Sequence, residues 1–238
     1  MKSIRLLGAT LLASTTLLGA TGAFAAQSEP VDPNPATANT PITAELTLNQ
    51  HPEKPTPPTG PDEGGDDQVT DIDGLFGIAY APGAFSGSAE LATSGVTNVS
   101  LVGKDDTKTK HNVGVQDLTR GKDRAWTLSA QLEWTGDNAD YMAGSTITAT
   151  SGNVKVNNKG TLTDVANGEV GLEANAESLT ISQGSSVALM SATAGKTVNG
   201  VYNYQFENPT LVIPSSENVT QGQYTGNIVW SLTNALGN

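Results

Sequence analysis

Few residues in this chain are of a kind that does chemistry. It has 2 histidines, 24 acidic residues and no cysteine. His51 lies in a proline-rich stretch and His111 in Lys108-Thr109-Lys110-His111-Asn112. Neither stands beside a motif for nucleophilic catalysis, and both are expected in solvated loops. Two carboxylates could hydrolyse a glycosidic bond, but the acidic residues fall mostly in loops and no spacing singles out a pair. Asp71-Ile72-Asp73-Gly74 starts like a calcium loop. Aligned to that pattern, however, the first and last ligand positions are Val69 and Tyr80, whose side chains cannot fill them. Asp62, Glu63, Asp66 and Asp67 are expected to form a solvated acidic loop rather than a weak calcium site. The residues therefore predict no catalytic site, no metal site, no cofactor and no enzyme.

Aromatic stacking is the other chemistry within reach. All 3 tryptophans fall on two runs. In the first, Trp126, Leu128, Ala130, Leu132 and Trp134 alternate with polar residues and share one face of a strand. In the second, Tyr224, Gly226, Ile228, Trp230 and Leu232 share a face. Such rings could stack on sugars, or they could fill a core. Burying one removes roughly 150–250 Å² from water, worth about 4–6 kcal/mol at about 25 cal/mol per Å². A chain without disulfides must draw its stability from its core, so Trp126 and Trp230 are expected inside. Trp134 ends its strand just before the turn Thr135-Gly136-Asp137-Asn138, and both rim and core stay open for it.

The elements that must position these rings are strands. From residue 69 onward, short alternating runs are separated by turn residues. They lie at 96–102, 146–150, 153–156, 178–181, 202–206 and 211–213. No stretch has a helical period of useful length. The pattern predicts an all-β chain, an antiparallel β-sandwich of Ig-like or related Greek-key type. Further upstream, Ile42 to Leu48 alternates as a half-buried strand would. Residues 26–66 hold 9 of the 12 prolines. Within and just beyond them, 49–68 is predicted as an exposed, mobile proline-rich and acidic loop.

The start of the chain has another purpose. Lys2 and Arg5, the apolar run Leu6 to Leu18 and the exit Ala23-Phe24-Ala25 read as a secretory signal peptide over 1–25. A flexible segment, 26–35, follows. Without Lys2 and Arg5, the 12 basic residues become 10 against 24 acidic, a net charge of −14. Such a chain repels nucleic acid and anionic lipid. No membrane anchor is expected from Trp230 to Asn238.

The two tryptophan strands also carry a resemblance. Trp126-Thr127-Leu128 and Trp230-Ser231-Leu232 match the paired W-x-L motifs of the WxL domain family. Ile213-Pro214 followed by Tyr224 to Leu232 resembles the closing segment of that family. Leu75 to Pro82 resembles its early strand and turn, and 42–48 with its proline-rich sequel resembles its opening. The likeness covers 36–238. It departs at Thr233-Asn234-Ala235-Leu236, where many members have a proline after the alanine.

The resemblance implies a protein secreted to the Gram-positive cell surface and held non-covalently on peptidoglycan, as scaffold or adhesin. It also implies a membrane-anchored partner protein and, in some members, contact with host matrix proteins. In the rival reading, that partner retains the chain at the surface. Trp126, Leu128, Trp134, Tyr224, Trp230 and Leu232 are the residues expected to carry the motif or its ligand contacts.

Overall fold

The computed structural model describes residues 32–236, apart from 64–65, 122–123, 167, 174–175, 177, 195 and 197–198. The expected signal peptide over 1–25 lies outside the described residues. The chain divides into two units, Met1–Thr47 and Leu48–Asn238. In the first, residues 32–47 are exposed throughout and contain no strand. Ile42 and Leu46 are 94% and 92% exposed, so the strand expected at 42–48 does not form. Alternation supplies an apolar face, but a strand also needs a neighbour for its backbone groups. No described residue pairs with this segment.

The second unit contains β1 (Asp67–Val69), β2 (Phe76–Pro82), β3 (Thr97–Ser100), β4 (Lys110–Asp117), β5 (Arg124–Trp134) and β6 (Thr146–Asn158). It continues with β7 (Thr161–Asp164), β8 (Val170–Leu172), β9 (Ser178–Ser182), β10 (Val187–Ala192), β11 (Gly200–Ile213) and β12 (Gly226–Leu236). A short 3-10 turn, Ser216–Asn218, precedes β12. One sheet runs β1-β2-β4-β11-β6-β7, with β3 also on β11 and β9 also on β6. The other runs β12-β5-β10-β8. Every pairing between these strands is antiparallel.

The sheets face each other across one apolar core. Trp126, Leu128, Ala130 and Leu132 of β5 meet Tyr202, Tyr204 and Phe206 of β11, with Ile147, Leu179, Ile181 and Met190 around them. This is the two-layer, antiparallel β architecture that alternation predicts.

β4 and β11 are buried on both faces. Tyr202, Tyr204 and Phe206 look into the core, while Asn203 and Gln205 look the other way. Asn112 lies opposite Gln205, and Gly114 lies opposite Asn203. On this outer side Tyr80 lies over Gly114, where a Cβ would stand 2.3 Å from its ring. The proline-rich segment covers the rest. Asn157 Nδ2 donates to the Thr56 carbonyl at 2.8 Å, Thr59 N–H to Gly160 O at 3.0 Å, and Lys110 N–H to Asp62 O at 3.1 Å.

Pro58 is buried. Residues 56–63, with Asp66 and Asp67, thus form a strap rather than the free loop that composition predicts. Their carbonyls and carboxylates serve a polar sheet face, and Pro58 adds buried apolar surface. His111 departs from expectation too. It lies on β4, 4% exposed, with its ring edge-on to Phe85 at 4.7 Å and 5.5 Å from Phe206. Burial pushes its imidazole pKa down.

Candidate functional site

The two W-x-L strands are hydrogen-bonded neighbours. β12 pairs with β5 along its length, and Leu128 stands opposite Leu232. Antiparallel pairing about that leucine pair sends the two tryptophans to opposite corners. Trp126 lies across from Asn234, and Trp230 across from Ala130. The small Ala130 leaves room for the indole beside it. Trp126 is 1% exposed and meets Tyr202 at 6.0 Å. Trp230 is half-buried and meets Phe206 at 6.0 Å. Leu128 is buried and Leu232 half-buried. The repeated motif therefore welds β5 to β12 and packs both against the other sheet.

A model of the family described as WxL domain surface cell wall-binding matches residues 30–235. The chain belongs to the WxL family. Comparison with curated proteins and with solved structures gave no match.

The end of this WxL sheet, where β5 stops and β12 begins, gathers Trp134 and Tyr224, the remaining residues that the sequence singles out. Trp134 is half-buried, and its Nε1–H donates to Ser145 Oγ at 2.9 Å. Gly226 stands opposite it, and a Cβ there would come within 2.9 Å of the indole. Thr135 and Gly136 N–H both donate to Thr225 O at 2.9 Å, tying the two loops together. The Asp137 carboxylate then accepts from Tyr141 N–H at 2.9 Å and Met142 N–H at 2.7 Å. Met142 is 2% exposed and anchors the loop, whereas Tyr141 is 38% exposed. Tyr224 meets Tyr141 edge-on at 6.3 Å, and its hydroxyl donates to Thr220 O at 2.6 Å. Trp134 and Tyr224 thus reach one rim, while Trp126 and Leu128 stay in the core. Tyr141 escaped the sequence reading because it sits in a turn with no alternation. Its spacing from Asp137, which fits a carboxylate capping the turn, was the available signal.

A second cluster surrounds the strongly shifted carboxyl of Asp67. Asn112 Nδ2 donates to Glu63 Oε2 and to Asp67 Oδ2, both at 2.9 Å. Gln205 Nε2 reaches Glu63 Oε2 at 2.8 Å, and Asn203 Nδ2 reaches Asn112 Oδ1 at 2.9 Å. Tyr80 OH donates to Asn203 Oδ1 at 2.9 Å and accepts from Asn157 Nδ2 at 2.9 Å. Burial pushes the Asp67 carboxyl up to about 7, against its bonds from Asn112, and Glu63 and Asp66 raise it further. Glu63 and Asp67 therefore belong to a structural network, not to a solvated acidic loop. Among the described residues no group of three or more His, Cys, Asp or Glu side chains is arranged to hold a metal ion. His51 is exposed, as expected, and pairs with Asp73 at 2.8 Å.

Proposed function

We propose that this chain is exported to a Gram-positive surface and held non-covalently on peptidoglycan, as a non-enzymatic scaffold or adhesin. The observation that carries this reading is the W-x-L pair on adjacent strands, in a chain whose family is described as surface cell wall-binding. The motif residues contribute differently. Trp126, Leu128 and Leu232 build the sheet, and Trp134, Tyr224 and the open side of Trp230 offer rim contacts. Both the chain and any teichoic acid are negative, so long-range attraction contributes nothing and local contacts must suffice.

Cosedimentation of residues 26–238 with purified, teichoic-acid-free peptidoglycan tests the reading. The protein is expected in the pellet, and Trp134→Ala is expected to weaken that binding. Added salt should leave it unchanged or strengthen it. A steep loss between low and moderate salt would overturn the charge argument.

A specific observation also favours a protein partner. Among the described residues β12 pairs with β5 alone, so an edge of 11 residues offers its backbone groups. Such an edge takes an added strand from another protein. A membrane-anchored surface protein, or a host matrix protein, would then hold the chain in place. Hydrogen exchange separates the two readings: a partner strand would slow the outward amides of β12, and glycan would not.

A further inference from the structure

We infer that the cleft between Tyr141 and Asn218 is a subsite for an uncharged pyranose ring of a glycan strand. The inference rests on the wall-binding reading and adds to it a place and a ligand class. The chain has 5 tyrosines. Tyr80, Tyr202 and Tyr204 are buried, and the other two, Tyr141 and Tyr224, touch each other at this one rim. The cleft opens beside them, lined by Ala139, Asp140, Tyr141, Pro214, Ser215 and Asn218 among others.

Both walls are held rigidly. On one side, Asp137 and the buried Met142 fix the turn. On the other, Ser216 is 2% exposed, its N–H donates to Gly95 O at 2.8 Å, and its hydroxyl meets Thr97 Oγ1 at 2.6 Å. Asp140 holds φ at 59°, an unfavourable conformation for a residue with a Cβ. Tyr141, the next residue, is 38% exposed. With its backbone N–H held by Asp137 and its ring against Tyr224, Tyr141 has less conformational freedom to lose on binding.

The polar groups narrow the ligand. Asp137 and Glu217 are already engaged, the latter accepting from Gly95 N–H at 2.9 Å. Among the described residues the Asp140 carboxylate and the Asn218 amide have no protein partner and remain for a ligand's hydroxyl or acetamido groups. Neither Trp134 to Ser145 nor Pro214 to Thr225 contains a lysine or arginine. A polyanion such as a teichoic acid would meet only negative charge here. A pyranose offers apolar C–H faces for the ring and hydroxyls for the carboxylate and amide, the usual division of labour in a shallow site.

The test uses two probes on the mature protein. A soluble N-acetylglucosamine hexasaccharide, followed by NMR, reads the cleft. Shifts are expected at 139–143 and 214–218. Tyr141→Ala should weaken binding about tenfold or more, Asn218→Ala less, and Tyr141→Trp should retain it. Saccharide that moves no cleft resonance overturns the inference, as does poly(glycerol phosphate) binding there in its place. Purified peptidoglycan, pelleted in parallel, reads the wall-binding proposal. If the protein stays in the supernatant while the hexasaccharide fills the cleft, that proposal fails and the subsite stands.

Discussion

β11 separates two buried layers that are filled on different principles. Toward the other sheet it presents Tyr202, Tyr204 and Phe206 to an apolar interior. Toward the strap it presents Asn203 and Gln205 to a network joining Asn112, Glu63, Asp67, Tyr80 and Asn157. The apolar side needs volume and tolerates approximate geometry. The polar side needs each donor matched to an acceptor, because an unmatched buried group forfeits its solvation. One strand thus shows that burial alone does not say which kind of layer a residue joins.

The largest expected effect lies on the apolar side. Trp126→Ala should destabilise the protein by about 3–5 kcal/mol, read from chemical denaturation. A loss under about 1 kcal/mol would mean that the indole is not a keystone of the core. Next comes the hub of the polar layer. Asn112→Ala leaves Asp67, Glu63, Gln205 and Asn203 short of partners, and about 2–4 kcal/mol should go. A smaller loss would indicate that water replaces the amide.

The titration of Asp67 separates the layers by pH. Its folded pKa is raised from 3.8 to about 7, so the native chain keeps a proton that the unfolded chain releases. The contribution of Asp67 to stability is therefore highest at the acidic end of this interval and falls as pH rises from about 4 to about 7, while that of the buried His111, whose pKa is lowered, runs the other way near the top of it. A fall of about 2 kcal/mol is expected, half of what an unrelaxed shift of that size implies, because the strap can lift and hydrate the carboxylate. Asp67→Asn should flatten this stretch of the stability–pH curve. An unchanged slope in that variant would assign the titration elsewhere.

The smallest effect compares two hydroxyls. Tyr80→Phe breaks two bonds in the polar layer and should lose about 1–2 kcal/mol. Tyr204→Phe removes one bond, to Ala176 O at 3.3 Å, and should lose about 0.5 kcal/mol. Equal losses would erase the distinction.

This contrast also explains what was legible in the sequence. Alternation located the strand from Trp126 to Trp134 and the one around Trp230, because each has one apolar and one polar face. It missed β4, Lys-His-Asn-Val-Gly-Val-Gln-Asp, whose outward Asn112 and Gln116 are polar yet buried. The same blindness placed His111 and the acidic run in solvent. The runs at 202–206 and 211–213 are one strand, with irregular register at Gln205/Glu207 and Glu207/Thr210. Asn208 there holds φ at 52° and precedes Pro209, which looks like a break when read residue by residue. Ile42 to Leu48 failed in the opposite direction, having the pattern without a partner. For the site, the shared faces of the W-x-L strands were readable, but their mutual pairing was not, since register between distant segments leaves no local mark.

That pairing has a consequence in time. Leu128 cannot meet Leu232 until nearly everything between β5 and β12 has been made or delivered. A chain made from its N-terminus therefore holds its Trp126 row uncovered on the β12 side until that strand is delivered. Sheet closure is a late, non-local event, of the kind that makes folding slow. The strand order itself thus delays locking of the sheet until β12 arrives.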